Sequence, residues 1–86
     1  HTECISIKLK NENISIEEIK NILKDYKIEE IKCLPSSPIN PIQIIEEEDR
    51  PQPKLDRDNG NGFTVTIGRI RKCNLFDIKL TLLSHN

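Results

Sequence analysis

The chain has 86 residues, 35% of them hydrophobic and only 3% aromatic (Tyr26, Phe63 and Phe76), with thirteen basic against fourteen acidic side chains. A chain of this length buries a limited fraction of its surface, so the core is thin, built mostly from isoleucine and leucine, and a large independent active site is not expected. The near-neutral balance without a basic stripe removes the term that drives nucleic-acid binding, and neither a membrane-spanning apolar run nor a signal peptide is present, which predicts a soluble, cytoplasmic chain with no nucleic-acid or membrane partner.

Cys4 to Lys10 alternates, with Ile5, Ile7 and Leu9 on one side and Ser6, Lys8 and Lys10 on the other, the period of a half-buried strand. Asn11 to Asn13 turns the chain. Ser15 followed three residues later by Glu18 is a capping-box pattern, and Ile16, Ile19, Leu23 and Tyr26 return at helical spacing, so an amphipathic helix is predicted over 15–26, with Glu17 and Glu18 at its positive end. From Lys32 onward, Pro35, Pro38 and Pro41 fall every third residue around two serines and predict an extended connection, followed by a short strand at Ile42–Ile45.

Glu46 to Asn61 is polar: Pro51 and Pro53 remove backbone donors, and Asn59, Gly60, Asn61 and Gly62 favour turns, which predicts a long ordered loop of the kind that is functional or covers something. Phe63, Val65 and Ile67 then alternate with Thr64, Thr66 and Gly68, and Phe76, Ile78, Leu80 and Leu82 repeat every second residue, the pattern of a hairpin of two long strands. Together these elements predict an α+β fold, a mostly antiparallel sheet with a helix packed on one face, the other face being available to another subunit.

Cys4, Cys33 and Cys73 are odd in number and lie far apart without a C-x-x-C pair, which argues against a disulfide framework and a structural zinc site and predicts three reduced, buried thiols. No metal is expected. The acidic run Glu46 to Asp49 reads as a solvated loop, and the stretch 56–62 lacks both the correctly placed glycine and the closing glutamate of a calcium loop, so turn chemistry explains it better. Pro35-Ser36-Ser37-Pro38 reads as a connector rather than a docking ligand. Arg69 and Arg71, two apart on a strand, are expected on one face, as an anion site or, preferably, as partners of acidic residues across a subunit boundary.

The stretch from Glu47 to Lys72 is less generic. Its Glu-Glu-Asp-Arg-Pro-Gln-Pro-Lys-Leu-Asp-Arg-Asp, then Gly-Asn-Gly, then Ile-Gly-Arg-Ile-Arg-Lys is similar to aspartate-semialdehyde dehydrogenases of the archaeal and fungal type. His1-Thr2-Glu3 resembles the family's His-Thr-Glu at the start of a strand, and Leu83-Ser84-His85-Asn86 its Leu-Ser-His-Asn before the final helix. The resemblance covers essentially the whole chain, resting between Asn11 and Lys32 only on a strand and a helix in the expected order.

The resemblance implies that residues 1–86 are a segment of the catalytic and dimerisation domain, of glyceraldehyde-3-phosphate-dehydrogenase-like C-terminal architecture, with the N-terminal Rossmann domain outside this chain. It implies a parent enzyme that reduces L-aspartyl 4-phosphate to L-aspartate 4-semialdehyde with NADP as cofactor, through a cysteine thioester, and that associates as a homo-oligomer through the sheet. Because the family's nucleophile lies upstream of its histidine, none of the three cysteines here takes that role. The resemblance assigns His1 as the catalytic acid/base, for which an imidazole titrating near neutrality is suited, and Asn86 as a cofactor-binding residue near the nicotinamide. On pattern alone, His1 reads as a tag remnant or solvated residue and Asn86 as a strand-end or cap residue. A start at His1 fits an excised segment, expected to be inactive alone. The competing reading is a non-catalytic dimerisation or interaction module derived from that domain, and a stand-alone regulator ranks last.

Overall fold

The computed structural model describes residues 1–11, 13–26 and 40–85. Cys33, Asn86 and the proline-rich connection before Asn40 lie outside them. The elements in chain order are β1 (Thr2–Ile7), α1 (Ile16–Lys24), β2 (Ile42–Ile45), α2 (Pro53–Asp56), a 3-10 turn (Asn59–Gly62), β3 (Val65–Lys72) and β4 (Ile78–Leu83). The four strands form one sheet in the order β1-β4-β3-β2. β4 runs antiparallel to both β1 and β3, whereas β2 is parallel to β3. A parallel pair needs a crossover rather than a tight turn, and the polar stretch after Ile45 supplies it. The α+β expectation of a mostly antiparallel sheet carrying a helix is therefore realised as a mixed sheet.

α1 begins where the sequence signals it: the Ser15 hydroxyl accepts a hydrogen bond from the Glu18 N–H at 3.1 Å, satisfying one of the orphan donors of the first turn. It ends at Lys24, two residues before the predicted limit, and Tyr26 lies beyond it, exposed. Strand β1 also differs from its predicted span, starting at Thr2 and stopping at Ile7. Past Ile7 the ladder gives way to side-chain bonding, because the Leu9 N–H donates to the Asp77 carboxylate, while the Asp77 N–H donates to the Ile7 carbonyl at 3.0 Å.

The pairing register sorts the side chains. Ile5 faces Leu80, Ile67 faces Leu82 and Ile44, and Val65 faces Ile42, all on one face of the sheet. The core there is Ile67, Ile70 and Leu80, with Ile5, Ile7, Ile42, Ile44, Val65 and Leu82 around it and Ile16 and Leu23 packed on from α1. Each fully buried aliphatic side chain contributes about 1.5–3 kcal/mol. A β-bulge between Gly68 and Arg71 shifts the register and returns Ile70 to the core face.

None of the three aromatics joins this core: Tyr26 and Phe76 are each 48% exposed and Phe63 58%. Phe63 precedes β3 and Phe76 sits in the β3–β4 connection, so their place in the alternation was coincidental. The strands are correspondingly shorter than the predicted hairpin at those ends.

The opposite face carries Thr66, Gly68, Thr81 and Leu83 near the centre of the sheet and Thr2, Cys4 and Ser6 on β1. The expected long loop does cover something. It passes directly over β3, so close that a Cβ on Gly68 would lie 2.3 Å from the Arg50 carbonyl oxygen. It also holds a short helix, α2, that alternation and turn chemistry did not predict, ahead of the expected turn at Asn59–Gly62. No helix among the described residues is long and apolar enough to cross a membrane.

Candidate functional site

Both ends of the described chain arrive at one end of the sheet. Thr2 pairs with Leu83, and Leu83 also pairs with Thr66, so the start of β1, the end of β4 and the start of β3 lie side by side. The His1 backbone nitrogen donates to the Ser84 carbonyl at 2.7 Å, and the Ser84 N–H donates back to the His1 carbonyl at 2.9 Å. This reciprocal bridge extends the ladder by one pair and fixes the backbone of His1, leaving its side chain exposed. Asn86, the other predicted site residue, lies outside the described residues. Its neighbour His85 is exposed and rests against the glycine turn, where a Cβ added to Gly62 would stand 3.4 Å from His85 Cδ2.

That turn is made from the Asn-Gly-Asn-Gly run as its chemistry requires. Gly60, Asn61 and Gly62 have φ of 59°, 57° and 85°, the left-handed region that glycine and asparagine tolerate. The turn reading of residues 56–62 is therefore correct, and Asp56 turns inward, away from any role as a loop ligand. Asp56 is 1% exposed. Its carboxylate accepts from Arg50 through Nε at 2.9 Å and also through Nη2, from the Gln52 N–H at 2.8 Å and from Asn59 Nδ2 at 3.4 Å. The Arg50 guanidinium hydrogen bond holds the carboxyl below the ordinary aspartate range, against the opposing effect of burial and with help from the Gln52 N–H. Asn59 Nδ2 also donates to the Thr66 hydroxyl at 3.0 Å, and Thr66 is completely buried. Sequence reasoning missed this network. The available signal was an arginine six residues before an aspartate across two prolines, too common a pattern to single out.

At the other end of β2 and β3 lies an open cleft of about 350 Å³, lined by Lys20, Glu46, Glu48, Arg69 and Arg71 with Ile44, Ile45 and Ile70. Lys20 donates to Glu46 at 2.9 Å, so the acidic run is partly engaged with α1 rather than wholly solvated. Arg69 sits at the bulge with φ 55°, which interrupts the alternation that put it on one face with Arg71. Arg71 Nη1 donates instead to the Arg69 carbonyl. Both arginines nevertheless reach this cleft. Two of the expected buried thiols are not buried: Cys4 is exposed on β1, and Cys73 is partly exposed after β3. The reason is their position, Cys4 on the uncovered side of an edge strand and Cys73 in a connection. Hydrogen bonds from the Phe76 and Leu75 backbone draw the Cys73 thiol below its ordinary pKa.

A helix on one face of a mixed sheet, an ordered strap on the other and a histidine paired into the sheet end define an α+β sheet domain whose edge strand is uncovered on one side. Comparison with known proteins places it more narrowly. Residues 1–86 match the family "Semialdehyde dehydrogenase, dimerisation domain", and the chain belongs to that family. It is 46% identical to the aspartate-semialdehyde dehydrogenase of Saccharomyces cerevisiae and 44% identical to that of Archaeoglobus fulgidus, each alignment covering 100% of this chain and 24% of the relative. The crystal structure of aspartate semialdehyde dehydrogenase with NADP from Candida albicans superposes with a TM-score of 0.84 at 42% identity, over 99% of this chain and 24% of that one. The chain thus spans about a quarter of the length of the relatives it matches.

Proposed function

We propose that this chain is the sheet segment of an NADP-dependent aspartate-semialdehyde dehydrogenase, in which His1 is the acid/base and Asn86 a nicotinamide-side contact. The observation that carries the reading is the reciprocal backbone bridge between His1 and Ser84. It holds His1, which the family resemblance singles out, at the end of the sheet beside Ser84, two residues before Asn86 in the sequence. An exposed imidazole on a fixed backbone is free to accept a thiol proton and return one to a leaving group in a pocket completed by other segments. The nucleophilic cysteine and an N-terminal Rossmann domain belong to those segments. When bound, NADPH would supply the hydride for reduction of the thioester.

The family's description as a dimerisation domain supports a homo-oligomeric parent. Thr2, Cys4 and Ser6 on the uncovered side of β1 are exposed and form the sheet surface on which a second copy packs. A soluble cytoplasmic enzyme agrees with the composition.

The test is phosphate-dependent NADP reduction with aspartate semialdehyde by the full-length parent and its His1→Asn variant. Loss of one acid/base group lowers turnover by about 10²–10⁴-fold with the fold intact. Turnover that survives the substitution leaves the non-catalytic dimerisation module as the better reading.

A further inference from the structure

The chemistry above makes no use of Asp56, the most deeply buried ionisable side chain among the described residues. Its partners form a path. Asp56 holds Asn59, which opens the glycine turn and is itself bonded to Thr66 on β3. The Asn59 carbonyl accepts from the Thr64 N–H at 3.2 Å and the Gly60 carbonyl from the Phe63 N–H at 3.1 Å, closing the turn on itself. At its far side Gly62 meets the His85 ring. His85 directly follows Ser84, whose backbone is bridged to His1.

We propose that Asp56 is a positioning residue: by fixing Asn59 it seats the Gly60–Gly62 turn beneath His85, and so sets the course of the backbone through Ser84 and His85. The bonds from Arg50 and Gln52 to Asp56 lie within the loop itself, and Asn59 carries the tie to the sheet through Thr66. Asn59 also opens the turn whose left-handed residues end against His85, so holding Asn59 holds what His85 rests on. The inference rests on the proposed nicotinamide-side role of Asn86, because that role makes the course of the strand end matter for cofactor binding.

The experiment uses the full-length parent with Asp56→Asn, which keeps shape and removes charge, and separately Gly62→Ala, which leaves the Asp56 network intact and strains the turn at its positive φ of 85° beside His85. Below the melting temperature, each variant should raise KM for NADP by about tenfold while kcat stays within about twofold, and amide hydrogen exchange at Ser84 and His85 should quicken. A lower melting temperature with unchanged KM and unchanged exchange at those amides would reduce Asp56 to a loop anchor and overturn the proposal. Should Asp56→Asn fail to fold, unchanged values in Gly62→Ala overturn it equally. A parent without NADP-dependent activity refutes the functional reading instead, and the exchange rates at Ser84 and His85 still decide whether Asp56 holds the strand end.

Discussion

At Gly68 the backbone of another segment occupies the space a side chain would fill: an added Cβ would meet the Arg50 carbonyl oxygen at 2.3 Å, the Arg50 carbonyl carbon at 2.9 Å and Pro51 Cδ at 2.9 Å. Two of these atoms are main chain and cannot rotate aside, so the strap would have to lift from β3. Gly68→Ala is expected to destabilise the parent by about 2 kcal/mol, in the middle of the range for overpacked sites, measured by denaturant unfolding. Stability within about 0.5 kcal/mol of the unaltered protein, the level of a neutral surface change, would mean the strap is not seated there. A lone glycine in an alternating strand hints at a close approach, but nothing in the linear chain says which segment approaches.

The elements are joined by the strap, whose residues Arg50, Gln52 and Asn59 converge on one buried charge. Asp56 is held below its ordinary pKa chiefly by Arg50, so the folded state resists its protonation. The contribution is fully present above the unfolded aspartate value, about 4, and is lost as pH falls through the lower folded value. Asp56→Asn should therefore be less stable than the unaltered parent by a constant margin from about pH 7 down to about pH 4, and the gap should close at lower pH. Denaturant midpoints across that range measure it, and a gap that persists undiminished into stronger acid would remove Arg50–Asp56 as the source. By contrast, α1 needed no such long-range partner to be predicted, because its cap and its apolar stripe are local in the sequence. Its end was overestimated because Tyr26 matched the helical period by chance.

For the molecule as a whole, the two sheet faces are unequal. One is closed by α1, and the other is crossed by the strap over β3, which leaves the β1 side with Thr2, Cys4 and Ser6 exposed. If a second copy packs there, an arginine at Cys4 puts a desolvated charge against its own symmetry mate. Cys4→Arg should convert the parent to monomer in sedimentation velocity while its circular dichroism is unchanged. A persistent dimer would assign assembly to a different surface.

The residues in linear order determined what depends on near neighbours: the helix with its Ser15 cap, the alternating aliphatic positions of β2, β3 and β4, the turn at Asn59–Gly62 and the resemblance that singles out His1 and Asn86. Only the tertiary structure decided what depends on segments far apart in the chain meeting. It made β2 parallel to β3, bulged the strand at Arg69, left all three aromatics exposed, and turned Asp56 from a loop residue into the buried acceptor of Arg50. It also brought His1 beside Ser84, a pairing across nearly the whole chain. Backbone ladders and buried charges are satisfied by whichever groups the fold brings within hydrogen-bonding distance, and local pattern does not encode that distance.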